Sequence, residues 1–429
     1  MGEDALVAAL DARFQARRAQ VPLLEKRASE EGVTRIRSLD DLVPVLFPHT
    51  VYKSYPESFV DRGKWKQLTK WVDSLSTRRV TVDVDGIADV DAWIDRLAAA
   101  GHFVSVSSGT TGKSSFLNKS QADRDATTRN QLEALAAVGV KPDRRWHFIP
   151  LAPDTGNPSA RVMHDVFLEH VARPDNIPYF TSASDHVPGG QHASMARMIA
   201  LRRAMADGTA APSDVAAADE DAARRRADTD ALLSHYADQM LEHRDEQFFL
   251  GSYMALAWRF VEVLRARGVR PGDLVGANAL FIAGGTKGAD LPPDHEPQIL
   301  ATLHVDPGHF LHRYSMQELN VGLAKCTAGR YHPAPELVVL VLDDAGEQLA
   351  TVSDGQAEGR AAFFDFTIDG RWGGTISGDR IRLDVGPCAC GRPGPTVAAD
   401  VVRYTTLADG DKITCAGAMD AYVRGIVDD

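Results

Sequence analysis

Apolar and polar positions along this chain change period repeatedly, and each change predicts an element. Residues 5–30, rich in Ala, Leu and Arg, place apolar side chains at three- and four-residue steps, which predicts an amphipathic helix ending near Gly32. A short element follows from Asp40 to Phe47 and stops at Pro48. Residues 80–84 alternate as a strand, and residues 90–100 return to a helical period closed by Gly101. The apolar run 103–106 and the pair Phe116-Leu117 read as two short strands on either side of a polar stretch. Ser120-Gln121-Ala122-Asp123 has the spacing of a capping box and predicts a helix over 121–138, ended by Gly139. Residues 145–150 read as a strand, 251–267 as a turn and helix ended by Gly268, and 274–277 and 280–283 as strand-like runs. Residues 336–342 and 361–368 complete the strands. Helices alternating with short strands predict an α/β fold of mixed sheets, flanking helices and a small β-rich part.

Two stretches break this pattern. Residues 52–71 mix Tyr, Phe and Trp with lysines, but interleaved acidic residues argue for a surface packed on the main domain, not a nucleic-acid platform. Residues 206–230 hold few large apolar side chains and predict a surface excursion or a solvated helix.

Composition narrows the class. With 47 Lys+Arg against 59 Asp+Glu, the net charge of −12 disfavours a broad nucleic-acid or anionic-membrane surface, so any nucleotide site is a local positive pocket. A 44% hydrophobic and 25% charged balance is that of an ordinary globular chain, one large domain or two. No apolar run reaches a membrane span, the start Met1-Gly2-Glu3-Asp4 is unlike a secretory signal, and four cysteines make no disulfide framework. The expected location is the cytoplasm.

The densest chemistry lies between the two short strands, where every residue from Ser107 to Ser115 is serine, threonine, glycine or lysine. Hydroxyls and bare backbone N–H groups wrap a polyphosphate, glycines let the backbone approach it, and a lysine offsets its charge. Gly112-Lys113-Ser114 also matches the end of a G-x-x-x-x-G-K-[ST] loop, but Ser107 stands where the first glycine belongs and a strand follows instead of a helix. A kinase or GTPase is thereby disfavoured.

Ser107-Ser108-Gly109-Thr110-Thr111-Gly112-Lys113 instead resembles the phosphate loop of the adenylate-forming superfamily, with Ser114 where proline usually follows. The nearest likeness is to the branch of phenylacetate-CoA ligase, acyl-protein synthetases and phenazine-biosynthesis adenylating proteins. Later segments extend the resemblance in order. Gly284-Gly285 looks like the adenine-side glycine segment. Arg313-Tyr314-Ser315-Met316-Gln317-Glu318 resembles Y-G-x-T-E, with Ser315 for glycine and Gln317 for threonine. Asp379 resembles the ribose-binding aspartate, and a carboxylate is a natural bidentate acceptor for a diol. Arg403 and Asp411-Lys412 resemble the ribose-side arginine and the hinge, at a longer spacing than usual.

The resemblance implies a large domain over 1–400 with a helical part over 1–100, then a hinge region and domain remnant over 401–429. It implies ATP and magnesium, with Lys113 and Glu318 in catalysis, Tyr314 beside adenine, and His147, Ser252, Tyr253 and Trp258 near the acid. His147 and the aromatic residues have an equally direct reading as core side chains. The product would be an acyl-AMP in secondary metabolism, with CoA, a carrier protein or an amine as acceptor and a homodimer as a possible assembly. After Lys412 no lysine follows, although relatives carry a mobile lysine there, so a catalytically reduced nucleotide- or metabolite-binding protein is the alternative. Cys326, His332, Cys388 and Cys390 make a Cys3His set fit for structural zinc, and some phenylacetate-CoA-ligase-like proteins have a metal in this region; the alternative is four unconnected residues. Cys415 is a core thiol or an acyl acceptor, as in the acyl-protein synthetases.

Overall fold

The computed structural model describes residues 2–106, 113–151, 158–178, 180, 198, 200, 201, 204, 205, 207–284, 289–407, 410, 411 and 413. The expected phosphate-loop residues 107–112, together with Gly285, Lys412 and Cys415, lie outside the described residues. The chain forms two compact units, one from Met1–Thr127 with Met316–Asp429 and the other from Thr128–Ser315.

In the first unit the expected single helix over 5–30 is two, Glu3–Arg18 and Pro22–Glu30. Pro22 has no N–H to continue the first helix and suits the opening of the second, so the chain turns at an extended Val21. Strand β1 (Phe47–Pro48) follows. Along 52–71 the aromatic side chains are core while Glu57, Asp61, Arg62, Lys66 and Lys70 are exposed: Trp71 is fully buried and donates from Nε1 to Ser54 Oγ at 3.1 Å. Residues 80–84 form no strand; the Val80 N–H is spent on Asp73 Oδ1 at 2.6 Å, and alternation without a partner strand does not make a sheet. Helix Val90–Ala99 is capped by Asp89, whose side chain accepts from the Ala92 N–H. Strands β2 (Phe103–Val106) and β3 (Phe116–Lys119) pair antiparallel, with Val106 opposite Phe116 at the loop end. The capping box forms as expected: the Asp123 N–H donates to Ser120 Oγ at 3.2 Å and the Ser120 N–H to Asp123 Oδ2 at 2.7 Å, opening helix Gln121–Ala137.

The second unit is a parallel sheet in the order β4 (His147–Pro150), β5 (Phe248–Ser252), β6 (Asn278–Ala283) and β7 (Val305–Tyr314). Nearly continuous burial along β4, β5 and β6 is what helices covering a parallel sheet require. Residues 274–277 form no strand, and Ala277 turns there at φ +66°. Helix Pro212–Glu242 buries only Leu232, Leu233, Tyr236, Ala237 and Met240, so residues 212–230 are its solvated front.

The chain then returns to the first unit. Strands β8 (Leu323–Lys325), β9 (Tyr331–Pro333), β10 (Leu337–Leu342), β11 (Gln356–Asp365), β12 (Gly374–Asp384), β13 (Thr396–Val397) and β14 (Val402–Arg403) follow. They order as β10-β11-β12-β13-β9-β8, with β1 parallel and β14 antiparallel on β12. Gly373 and Gly374 serve close approach: a Cβ would lie 2.6 Å from the Asp365 carbonyl oxygen at one and 2.6 Å from Leu46 Cδ2 at the other. The architecture is mixed α/β. Among the described residues no helix is long and apolar enough to cross a membrane.

Candidate functional site

Lys113 and Ser114, just before β3, lie against the buried Tyr55. Lys113 donates from Nζ to the Tyr55 carbonyl oxygen and lies 4.5 Å above the Tyr55 ring centroid. The Tyr55 hydroxyl in turn donates to the Ser114 carbonyl oxygen at 2.8 Å. The lysine is therefore held by protein contacts, not simply solvated.

Glu318 sits in a short segment fastened residue by residue. Ser105 on β2 donates from Oγ to Gln317 Oε1. Arg371, 1% exposed, donates to the Glu318 carbonyl oxygen at 2.7 Å and to that of Asn118 on β3 at 3.4 Å. The Asn320 and Val321 N–H groups donate to Asp365 Oδ2, and Asn320 Nδ2 donates to Asp123 Oδ1 at 2.6 Å. Burial pushes the Glu318 carboxyl above its ordinary value, against the pull of Arg371 and Lys53. Among the described residues no side chain forms an ion pair with it. A half-buried carboxylate without an ion pair favours a cation, so Glu318 fits a magnesium ligand.

Asp379 and Arg403 are cross-strand partners of β12 and β14, with Arg403 Nε 3.5 Å from Asp379 Oδ1. Asp379 is buried while Arg403 is exposed, so the carboxylate is fixed and the guanidinium faces solvent. Gly378 keeps the backbone narrow: a Cβ there would lie 3.2 Å from His49 and 3.3 Å from Asp411. His49 Nε2 is 3.8 Å from Asp411 Oδ2, and fully buried Arg360 donates to Asp411 Oδ1 at 2.9 Å. Neighbouring Lys53 is half-buried, its charge depressed by burial, raised by Glu318 and lowered by Arg403. Sequence reading missed Lys53, His49, Arg360 and Arg371. Only pairing β1 with β12 brings His49 and Lys53 here, and the sole local signal was apolar neighbours around each cation.

In the second unit Ser252 and Tyr314 end β5 and β7 and Gly284 directly follows β6, at the edge where α/β sheets take ligands. Ser252 Oγ lies 3.3 Å from the Leu151 carbonyl oxygen and 3.1 Å from that of Tyr253. Gly284 takes φ +73°, and its N–H donates to the Arg313 carbonyl oxygen at 3.0 Å. Arg313, buried against Asn130 and Gln131 and lowered to about 10 by burial, anchors the strand before Tyr314. Ser315 follows in the exposed turn. Tyr253 and Trp258 pack on the hydrophobic core, and Arg265 lies 5.4 Å from the Trp258 ring centroid. His147 is at the opposite, amino end of β4, with Nε2 3.0 Å from Glu246 Oε2 and 3.3 Å from Arg173 Nη1. That places it away from the ligand edge, with its own cation supplied by Arg173.

The cysteine–histidine set converges in the first unit. Cys326 and Cys388 sulfurs are 3.8 Å apart, Cys390 Sγ is 3.3 Å from His332 Nε2, and all four ligand atoms lie within 4.8 Å of one another. Two turns of the same shape present the three cysteines, and His332 stands on β9. The Gly329 N–H returns to the Cys326 carbonyl oxygen and the Gly391 N–H to that of Cys388, each at 2.9 Å and with glycine at positive φ. The Arg392 backbone N–H holds the Cys390 thiol below its ordinary value.

No protein-family model matches the sequence, and no curated protein matches it significantly. Among solved structures, one similar chain is 2-hydroxyisobutyryl-CoA ligase, in complex with 2-HIB-AMP and CoA, at TM-score 0.52 and 15% identity over 94% of this chain and 68% of that one. ATP-bound MatB from Rhodopseudomonas palustris aligns at TM-score 0.42 and 14% identity, over 76% of this chain and half of its own length. The chain thus carries the fold of the adenylate-forming enzymes.

Proposed function

We propose that this protein activates a small carboxylic acid with ATP as an acyl-AMP. The observation that carries the reading is the set around Glu318: a carboxylate with no ion pair among the described residues, on a segment fastened to β2 through the Gln317 side chain and held by Arg371 at the Glu318 backbone carbonyl, beside the strands that flank the expected phosphate loop. In the reaction a substrate carboxylate oxygen bonds to the α-phosphorus of ATP, the bond to the bridging oxygen breaks, and pyrophosphate leaves with the electron pair. Ser107, Ser108, Gly109, Thr110, Thr111, Gly112 and Lys113 would hold the β- and γ-phosphates. Bound magnesium on Glu318 supplies charge neutralisation on the phosphate oxygens. Asp379 would accept from the ribose hydroxyls, with Arg403 beside it, while Tyr314, Gly284 and Gly285 frame adenine. Ser252 and Tyr253, at the ligand edge of the sheet, are the proposed acid-side residues. The hinge role of residues 401–429, a cytoplasmic setting and the acyl acceptors named above belong to the same reading. Cys326, His332, Cys388 and Cys390 would bind a structural zinc with no open position for water.

Pyrophosphate exchange into ATP across a panel of aryl and acyl acids tests this directly. At least one acid should support exchange, and Lys113→Ala should lower its rate about 10²-fold, the order seen when a preorganised transition-state charge contact is removed. Because Lys113 also rests on Tyr55, a melting curve accompanies the rate. Absence of exchange and of ATP binding in the wild type, or an unchanged rate in the variant, would sink the reading. A second expected result concerns Asp379→Ala. Calorimetry should show ATP weakened more than pyrophosphate, since only ATP has a ribose; equal losses would make Asp379 a strand residue and nothing more.

A further inference from the structure

A second convergence of metal-ligating side chains lies in the other unit, at the amino ends of β4 and β5. His147 opens β4, His243 follows helix Pro212–Glu242 as its cap, and Glu246 stands two residues before β5. A tight turn sets His243 and Glu246 side by side, since the Glu246 N–H donates to the His243 carbonyl oxygen at 2.8 Å. Pairing of β4 with β5 brings His147 to them, its N–H donating to the Gln247 carbonyl oxygen at 3.0 Å. Glu246 then faces both imidazoles, with Oε2 3.0 Å from His147 Nε2 and Oε1 3.2 Å from His243 Nδ1. The three ligand atoms lie within 4.8 Å of one another. Nitrogen and oxygen ligands about 2.0–2.2 Å from a tetrahedral zinc ion stand about 3.3–3.6 Å apart, so small side-chain movements would close this set on an ion.

Arg173 is the cation at this carboxylate, donating from Nη1 to Glu246 Oε2. The same Nη1 is 3.3 Å from His147 Nε2. That ring nitrogen therefore faces an acceptor and a donor together, and either tautomer satisfies only one of them. The other ring nitrogen, Nδ1, is buried without a hydrogen bond, in a residue 3% exposed. Arg173 has a second anchor, because its Nε and Nη2 donate to the two oxygens of Asp175 at 2.6 and 2.8 Å. It can leave Glu246 and keep a charge partner.

We propose that His147, His243 and Glu246 form a binding site for a zinc-class divalent metal ion, from which Arg173 is displaced when the ion binds. Two imidazoles and one carboxylate suit zinc, cobalt or nickel better than magnesium, which prefers oxygen. The ion would take the lone pairs of His147 Nε2 and His243 Nδ1 and an oxygen of Glu246, with water in the remaining position. The conflict at His147 Nε2 then disappears, and the guanidinium stays on Asp175. Such an ion would fasten the end of the long helix to β4 and β5, adding stability as its occupancy rises. The site is free of sulfur and open, unlike the set at Cys326, His332, Cys388 and Cys390, and it does not depend on the acid-activating reading.

Zinc titrated calorimetrically into the purified full-length protein tests this, with cobalt followed by absorption. Zinc added beyond that retained on purification should bind at one further site and raise the melting temperature. His243→Ala and Glu246→Gln should each weaken this binding at least tenfold, about 1.4 kcal/mol. Arg173→Gln should tighten it about tenfold, because the competing cation goes while all three ligands remain. A gain of affinity is not produced by misfolding. Cobalt at this site should show no thiolate-to-metal charge-transfer band, which separates it from the cysteines. Failure of wild-type protein to bind zinc beyond the cysteine set would overturn the site. So would binding untouched by both ligand replacements, or weaker binding in Arg173→Gln, and His147, Glu246 and Arg173 would then be an ion-paired network only. Thiolate charge transfer from the added cobalt would assign the ion to the cysteines and overturn the site equally.

Discussion

Cys388→Ser is expected to release about one zinc per chain and to lower the melting temperature of the protein by roughly 6–12 °C. The geometry supplies the first half of this expectation. A tetrahedral ion about 2.3 Å from each sulfur puts two sulfurs about 3.8 Å apart. Cys326 and Cys388 stand at 3.8 Å, the separation such an ion would impose. Replacing a sulfur by a nitrogen ligand at about 2.0–2.1 Å shortens the pair to about 3.5 Å, close to the 3.3 Å between Cys390 and His332. The thermal half follows from topology. The turn over 326–329 leads from β8 into β9, while the turn over 388–391 follows β12, so the ion would join segments about sixty residues apart in sequence. Structural zinc supplies roughly 10–16 kcal/mol in small peptides. If only about 3 kcal/mol of that reaches this much larger unit, the shift is about 2–4 °C per kcal/mol. Elemental analysis and melting curves with and without chelator are the measurements. Zinc-free protein with an unchanged melting curve would remove the ion from the fold.

Much of the framework was legible because it depends on neighbours in sequence. The β2–β3 hairpin follows from apolar pairs flanking a polar run, and the capping box at Ser120 from residues three apart. Pro22 was equally visible but was overridden by the helical period around it, although a proline mid-pattern ends a helix. Residues 80–84 show the converse: period-two alternation satisfies one side of a pairing, and the other side must come from elsewhere. The convergence of Cys326, His332, Cys388 and Cys390 could be suspected from residue type alone. The setting of Glu318 could not. Its fastenings come from Ser105, Asp123, Asp365 and Arg371, which no local spacing relates to it. Lys53 and His49 reach the neighbourhood of Asp379 on β12 only because β1 adds to β12, a pairing of two residues that leaves almost no trace in sequence.

Asp123→Ala is expected to cost about 3–5 kcal/mol, the range for removing one partner from a buried, charged network. Asp123 is fully buried, and its role exceeds the local cap. Oδ1 accepts from Asn320 Nδ2 at 2.6 Å and the Asp369 N–H at 2.8 Å; Oδ2 accepts from the Ser120 N–H at 2.7 Å and the Gly370 N–H at 2.8 Å. One carboxylate thus joins the start of a helix, the segment after Glu318 and the turn before Arg371. Gly370 leaves the room, since a Cβ there would lie 2.8 Å from Asp123 Oδ2. Burial raises the Asp123 carboxyl, but Arg371, Asn320 and the backbone N–H groups more than offset this and hold it below 3.8. A depressed folded value means that the stabilisation is complete above the ordinary aspartate range and is lost as pH falls through the folded value. Asp123→Asn keeps the shape but carries no such charge, so its deficit relative to wild type should be large at pH 7 and shrink as the solution is acidified below pH 4. Urea unfolding at a series of pH values measures both. A constant difference across that series would mean that the Asp123 charge is not what holds these three segments together.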